Sequence, residues 1–539
     1  MKKIASSENI ENFSRNDYIY IDKTEYIYNL IENNERVFFS RPRRFGKSLT
    51  LNTIGTLFEK GVDPYFKGTW IYDKWQQHKY PVLHLNFLKF RVKSLREFKD
   101  IFSKAIKDFA VQQNLPGTVN SNEPDIAINE LFMALKDRQI VILIDEYDCQ
   151  LTANINNAEL YEEFRTCIRE FYAVLKGEKH IKFLAVTGVT RLKDVSIFSV
   201  GSDIIDLSYD HAYSQMIGFT RSEIKKFYID YLKLGVAYEQ HKEAETVTDD
   251  EIEDLLDRMA EHYDGYCFDN KYRNKVYSTY SVNRFLQTLV ADKEVEFSDY
   301  WYEAGGVPSI LNNYLQSHEL NLERFQSSAI EVNLNDFLNP TTLPTMDENV
   351  LMCQTGYLTL KSDINPNRSS LLMGFANREV SSALSRLLSL KFFKKQIEIL
   401  TYDNVNVLET YTADELVSLF NSVLAAVAYD RYPISSESVL AALLQFYLMG
   451  KGVDVRVEQH NSKGRSDILI NLKNRRIVLE LKFSADGRNS ETLLKDAVNQ
   501  INDKEYGTEN LCNRQLLKIA CVFDASESKR KITAYHTVY

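Results

Sequence analysis

The stretch ERVFFSRPRRFGKSLT (residues 35–50) decides how the amino-terminal part of the chain reads. Glu35–Ser40 is a short run rich in Val and Phe, residue types that favour strands. The SLTLNTIGTLFEKG segment that follows has helical spacing and stops at Gly61. A strand, a tight loop at Gly46 and a helix form a setting in which backbone N–H groups surround phosphate oxygens, and the helix dipole adds positive potential. There Lys47 reaches the β- and γ-phosphates, and the Ser48 hydroxyl holds Mg2+. The GxxxxGK[ST] pattern is incomplete, because Arg41 stands at the first Gly and Pro42 has no N–H. Gly-Lys-Ser by itself is short enough to be an ordinary helix start.

Support for a P-loop comes from further along the chain. IVILIDE (residues 140–146) is a continuous apolar run, as in a strand buried on both faces, and it ends in Asp145 and Glu146. An Asp placed there completes a Mg2+ shell, and the Glu after it orients or deprotonates water. The strand VLHLNF (82–87), which holds Val82, lies between the two motifs in the chain. IKFLAVTG (181–188) and IIDLS (204–208) complete a set of five strands alternating with helices, an α/β domain with a parallel sheet. Thr187, Thr190 and Arg191 follow the fourth strand, where a γ-phosphate contact and a structural part are both open; Arg191 also suits an arginine finger toward a neighbour. The candidate nucleotide set is Arg43, Arg44, Phe45, Gly46, Lys47, Ser48, Leu49, Asp145, Thr187 and Arg191, with Glu146 catalytic and Ser48 and Asp145 as metal ligands. For Arg43 and Arg44 a solvated basic turn is the plainer reading.

At 539 residues the chain is too long for one core. Residues 1–215 read as the α/β domain, 216–425 as mainly helical with one β-like stretch at Leu351–Lys361, and 426–539 as a small mixed α/β domain. The last part runs helix (Glu437–Met449), three strands (Val453–Glu458, Ser466–Asn471, Arg476–Phe483), a helix around Ala497 and Ile501, then strands Leu516–Phe523 and Ile532–Val538. No apolar run approaches the roughly 20 residues of a membrane span, and MKKIASSENIENF has no apolar stretch after its lysines. Cys149, Cys167, Cys267, Cys353, Cys512 and Cys521 are scattered without CxxC spacing, which suggests a reducing, cytoplasmic setting. Net charge is −10, so a nucleic-acid role requires a local basic patch.

The carboxy-terminal part offers such a patch beside a second constellation. Asp467 opens one strand, and Glu480 and Lys482 lie two apart on the next, so their side chains share a face. A hairpin through NLKNRR brings the Asp467 carboxylate alongside. Two carboxylates make an oxygen site for Mg2+, and a neighbouring Lys positions or deprotonates the attacking water. Asp467 and Glu480 are the metal ligands, and all three are catalytic candidates; a charged, solvated strand face is the alternative. Arg465, Lys473, Arg475, Arg476, Arg488, Lys529, Arg530 and Lys531 make the region basic, while Glu437 and Glu458 are weaker acidic candidates. Tyr432 and Tyr506 read as core residues before base-stacking ones.

Taken in order, these segments resemble a bacterial AAA-ATPase-like family fused to a PD-(D/E)XK nuclease domain. The resemblance is carried by YIDKTEYIYNLIENNERVFFSRPRRFGKSLTL, LIDEYD (143–148), TGVTRLKDVSIFSVGSD (187–203), HYDGYCFD (262–269), VYSTYSVNRFL (276–286), DYWYEAGGVPSIL (299–311), QTGYLTL (354–360), FANREV (375–380) and the GRSD…ELK segment. It makes RPRRFGKS a hallmark rather than a damaged motif, and adds Gln500 as a catalytic candidate. Two departures put local geometry in doubt: Ser278-Thr279 stands where Asn-Pro is usual, and Val200 and Ser202-Asp203 replace a Gly-Leu-Asn-Asn-like stretch. Gly265, Tyr266 and Phe268 read as a packed turn. The resemblance implies ATP and Mg2+ as cofactors, and nucleic acid, as DNA, at the carboxy-terminal domain. It also implies nucleotide control of the Asp467 site, and leaves room for a protein partner or self-association. A regulatory ATPase switch that grips without cleaving is the alternative.

Overall fold

The computed structural model describes residues 1–5, 7–90, 92–192, 203–303, 309–318, 320–325, 329–340, 342–393, 402–460, 465–504, 506–508, 511 and 514–538. The chain divides into two compact units, Met1–Glu319 with Val332–Asn377, and Leu320–Glu331 with Arg378–Tyr539. The helical stretch expected at 216–425 contributes residues to both.

The first unit is organised by a parallel sheet. Its strands are β1 (Arg36–Ser40), β2 (Val82–Asn86), β3 (Ile140–Asp145), β4 (Ile181–Gly188) and β5 (Ile205–Asp206), in the order β2-β3-β4-β1-β5. Every residue of β1 and β3 is buried, which is why β3 reads as a near-continuous apolar run rather than an alternating one. The Val82 strand sits between the two motifs in the chain but at the sheet edge in space. It is β4 that separates β1 from β3, and so Gly188 pairs with Ser40 in register while Val186 faces Ile144. This register brings the carboxyl ends of the three strands level, where ligands bind in open α/β sheets.

Helices dominate the rest of this unit. Thr220 and Thr248 cap the Arg221–Phe227 and Asp249–Tyr263 helices with reciprocal Glu223 and Glu251 bonds. Their apolar faces close over Leu232, Leu255, Met259, Phe285 and Leu289, all at or near zero exposure. Ser278 caps the Thr279–Asp292 helix, and the hydroxyl of Thr279, its first residue, donates to the Arg44 carbonyl (2.9 Å). The departure from Asn-Pro therefore keeps the helix start intact. Val200 and Ser202 lie outside the described residues, while Asp203 accepts the Gly177 N–H and pairs with Arg36.

One stretch differs from its sequence reading. Within Leu351–Lys361, residues 351–355 belong to a helix, Glu348–Thr355, capped by Asp347 and ended by Gly356 at φ 91°. All of Asn349–Thr355 is buried, so the segment lacks the polar face that would have marked it as helical. Besides β6 (Ile330–Asn333), the strands there are β7 (Leu358–Leu360) and β8 (Ser370–Phe375), and these last two pair antiparallel.

The second unit matches its expected order closely. Strands β9 (Asp454–His460), β10 (Arg465–Asn471), β11 (Arg475–Ser484), β12 (Gln515–Asp524) and β13 (Lys531–Val538) form one mixed sheet, β13-β12-β11-β10-β9. Only β11 and β12 are parallel, and a parallel pair needs a crossover, here the Ser490–Lys504 helix. That helix buries Ala497 and Ile501 against Val478 and Ala520.

The Asp249–Tyr263 helix leads into Gly265, whose φ is +103° and where an added Cβ would lie 2.3 Å from the Ala376 carbonyl oxygen. Both the backbone sign and the missing space demand glycine. Gly265→Ala should destabilise the first unit by about 2 kcal/mol or more, seen as a lowered first transition in a thermal unfolding scan.

Candidate functional site

The Lys47–Lys60 helix starts at Gly46, which has φ 109°, and no side chain caps it. Its first N–H groups are thus left to a ligand, as an anion site at a helix N-terminus requires. The Lys47 ammonium is buried and donates to the carbonyls of Arg41 (3.0 Å) and Pro42 (3.3 Å), and it faces Glu146 Oε1 at 3.4 Å. Ser48 Oγ donates to Asp145 Oδ2 (2.7 Å), and Thr187 Oγ1 donates to Asp145 Oδ1 (2.6 Å). The ends of β3 and β4 and the helix start therefore meet at one fully buried carboxylate. Hard oxygen donors on Ser48 and Asp145 beside an uncapped helix start suit Mg2+ and a triphosphate.

Thr190 and Arg191 engage carboxylates of the chain itself. Thr190 gives its N–H and hydroxyl to Asp148 (2.7 and 2.6 Å). Burial first, and then repulsion from Glu146, holds the Asp148 carboxyl above its ordinary range. Arg191 pairs with Asp206 at 2.7 Å, and its guanidinium lies over Tyr209 and Phe337. That pairing gives Arg191 a structural task in this structure. Arg43 has no side-chain partner among the described residues, Leu49 is half-buried, and Arg44 lies over the Tyr280 ring at 4.4 Å rather than in solvent.

What replaces the missing first glycine is a packed loop. Arg41 is 1% exposed and donates to the carbonyls of Ser40 and Ser208 (2.8 and 2.6 Å). Burial lowers its guanidinium to about 10, and the Phe268 ring lies 4.2 Å away. Phe45 is equally buried, with Tyr266 and Phe268 edge-on at 4.7 and 5.5 Å. Pro42 lies so close to Gly356 that a Cβ there would meet it at 2.8 Å. The Gly265–Phe268 turn is packed, as expected, and the surface it packs on is the phosphate loop itself.

In the second unit, β10 and β11 pair antiparallel with Ile468 opposite Leu479, which sets Asp467 beside Glu480. Asp467 Oδ2 accepts the Leu481 N–H (2.7 Å). Lys482 Nζ lies 3.2 Å from Glu480 Oε1 and 3.7 Å from Glu437 Oε2. Glu437 also accepts the Phe483 N–H (3.2 Å), which ties the first helix of the domain to this strand. Glu480 is fully buried, and its Oε2 has no hydrogen-bond partner. Burial, and then the Asp467 charge, push its carboxyl up to about 8. For Lys482 burial acts downward, but Glu480, Glu437 and Asp467 outweigh it and the ammonium is raised.

Residues 6–198 match the family model described as a predicted AAA-ATPase, and residues 435–533 match that of the PD-(D/E)XK nuclease superfamily. The chain joins an AAA-ATPase-like domain to a PD-(D/E)XK nuclease-superfamily domain. It is 27% identical over 507 residues to an uncharacterized protein in the vnfD 5′ region of Azotobacter chroococcum mcd 1, covering 91% of this chain and 90% of that protein. Among solved structures, the Aeropyrum pernix ORC1 protein in complex with DNA aligns over 71% of this chain and 98% of that one, with 10% identity and a TM-score of 0.27.

The orphaned Glu480 oxygen is what a hard divalent cation would satisfy in the nuclease-superfamily domain, with Asp467 as the second ligand. Gln500 donates to the Tyr506 hydroxyl (3.3 Å). Tyr432 and Tyr506 are core residues. The basic patch is thinner than its residue count implies. Arg475 donates to the carbonyls of Leu408, Glu409 and Tyr411, Arg476 to Asn471 and Gly507, and Arg530 lies over Tyr429. The side chains of Glu458 and Arg465 and all of Cys512 lie outside the described residues; the other five cysteines are buried and unpaired by disulfides. No helix among the described residues is long and apolar enough to cross a membrane.

Asp148 was the residue that sequence reasoning passed over, although LIDEYD contains it. Its partners lie just past the end of another strand, and only the adjacency of β3 and β4 brings them together.

Glu480 binds its proton more tightly folded than the roughly 4.3 of a free glutamate allows. That stability is whole below the free value and is lost as pH rises toward about 8. The metal-free protein should therefore melt lower as pH rises from about 5 to about 8, and Glu480→Gln should flatten that slope in scanning fluorimetry. Mg2+ affinity should rise over the same window, because the metal displaces the proton.

Proposed function

We propose that this chain is an ATP-hydrolysing protein whose nucleotide state controls a metal-dependent nuclease site acting on DNA. The observation that carries it is the presence of two separate phosphate-directed constellations in one chain: Lys47, Ser48, Asp145 and Glu146, and Asp467, Glu480 and Lys482. In the first, the uncapped helix start and Lys47 hold the phosphates, Ser48 and Asp145 hold Mg2+, and Thr187 fixes the Asp145 carboxylate. Glu146 orients the water that attacks the γ-phosphate. Lys47 leaves Glu146 for the phosphates when nucleotide binds, which frees that carboxylate for its work.

In the second, Asp467 and Glu480 hold the metal, which supplies Lewis acidity at the scissile phosphate. Lys482 positions the water and counters the charge that builds in the transition state, and Glu437 keeps the ammonium on the shared face. Of the basic residues, Lys473 and Lys531 remain to meet the backbone, because Arg475, Arg476 and Arg530 serve the chain itself, Arg488 pairs with Asp486 and Lys529 with Asp524.

A second reading is that the nuclease-like domain grips nucleic acid or a protein partner, and the ATPase domain is a regulatory switch.

Plasmid, linear and single-stranded DNA incubated with protein, ATP and Mg2+ decide between them. Lys47→Ala should abolish ATP turnover. Asp467→Ala should abolish cleavage by about a thousandfold or more while turnover persists. Tight DNA binding with no cutting in either Mg2+ or Mn2+ would establish the second reading.

A further inference from the structure

Glu146 has φ +54°, the left-handed region that a glutamate seldom adopts. An outlier of this kind persists only where its surroundings over-determine it. Here the two residues that follow are gripped by the end of β4. The Tyr147 N–H donates to the Thr187 carbonyl (3.1 Å). The Tyr147 hydroxyl donates to the Thr190 carbonyl (3.0 Å) and accepts the Leu192 N–H (3.1 Å). Asp148 Oδ2 accepts the N–H groups of Val189 and Thr190 (3.2 and 2.7 Å) and the Thr190 hydroxyl (2.6 Å). Tyr147, Asp148 and Thr190 are all buried, so none of these bonds competes with water. Gly188 makes the approach possible, since a Cβ there would lie 2.5 Å from the Tyr147 ring and 2.8 Å from Asp148 Oδ1.

The backbone must reverse between Asp145, held in β3, and Tyr147, held against β4, and Glu146 is the single residue left to do it. We infer that Tyr147 and Asp148, clamped by Gly188–Leu192, are positioning residues that aim the Glu146 carboxylate into the phosphate site. The turn toward the site is visible in the 3.4 Å approach of Glu146 to Lys47. The inference rests on the ATPase reading above and deepens it. The clamp meets the nucleotide set only at the Thr187 backbone carbonyl, not at the hydroxyl that fixes Asp145, so it governs the hydrolytic step and leaves nucleotide affinity alone.

The test uses the full chain, with ATP hydrolysis and equilibrium binding of a fluorescent ATP analogue measured side by side. Tyr147→Phe, Asp148→Asn and Gly188→Ala should each lower kcat by about tenfold or more, with Kd held within about threefold. In a Glu146→Gln background, Asp148→Asn should cost nothing further, because the group it positions is gone. Unchanged kcat in all three variants overturns the inference. So does a Kd that weakens in step with kcat, or an equal further loss in the Glu146→Gln background. Tyr147→Phe removes one oxygen and guards against variants that fail to fold. A wild-type protein that binds no ATP analogue, or a Lys47→Ala variant that binds it fully, sinks the ATPase reading itself, and the positioning role with it.

Discussion

A carboxylate at zero exposure is costly unless every oxygen is satisfied, and in the first unit Asp145 is such a group. Ser48 and Thr187 satisfy it from two sides, and neither does so unless β1, β4 and β3 lie side by side in register. The parallel sheet, the start of the phosphate-loop helix and the end of β4 are thus bound to one another through one side chain. Its position at the end of an all-apolar strand leaves it no route to solvent.

Around that centre the phosphate loop is held from outside as well as from within. In an ordinary loop, glycines let the backbone wrap a phosphate closely. Here Arg41 and Pro42 give up that freedom, and the loop's shape comes from packing. Phe45 sits against Tyr266 and Phe268, Arg41 stacks on Phe268, and Arg44 lies over Tyr280. Buried aromatic pairs of this kind contribute about 0.5–1.5 kcal/mol each beyond their area. A loop fixed by its neighbours is pre-organised for an anion.

The nuclease-superfamily domain solves a similar problem with different means. Glu480 is buried beside Asp467, and like charges in a low-dielectric site cannot both ionise cheaply. Lys482 offsets part of the repulsion, while protonation near neutral pH removes the rest. The arginines that looked like a binding surface stabilise strand ends and turns, so charge in the sequence overstated the exposed positive surface.

Much of this was legible from residues alone. The continuous apolar run at Ile140–Asp145 read as a strand buried on both faces, the Val- and Phe-rich run at Arg36–Ser40 read as a strand, and the spacing of Glu480 and Lys482 put them on one face of β11. Local chemistry dictated those features, because periodicity and glycine placement act over a few residues. The Glu348–Thr355 helix was lost because burial on all sides erases the periodicity that identifies a helix. The clamp of Asp148 on Thr190, the stacking of Arg41 and the engagement of Arg475 were likewise beyond reach. Each joins residues about 40 to 230 positions apart, and only the sheet order and the packing of the helical segment choose such partners. The sequence by itself determined which groups this protein has for holding phosphate and metal. The tertiary structure decided which of them are free to do so, because burial leaves a polar group only the partners that the fold brings within reach.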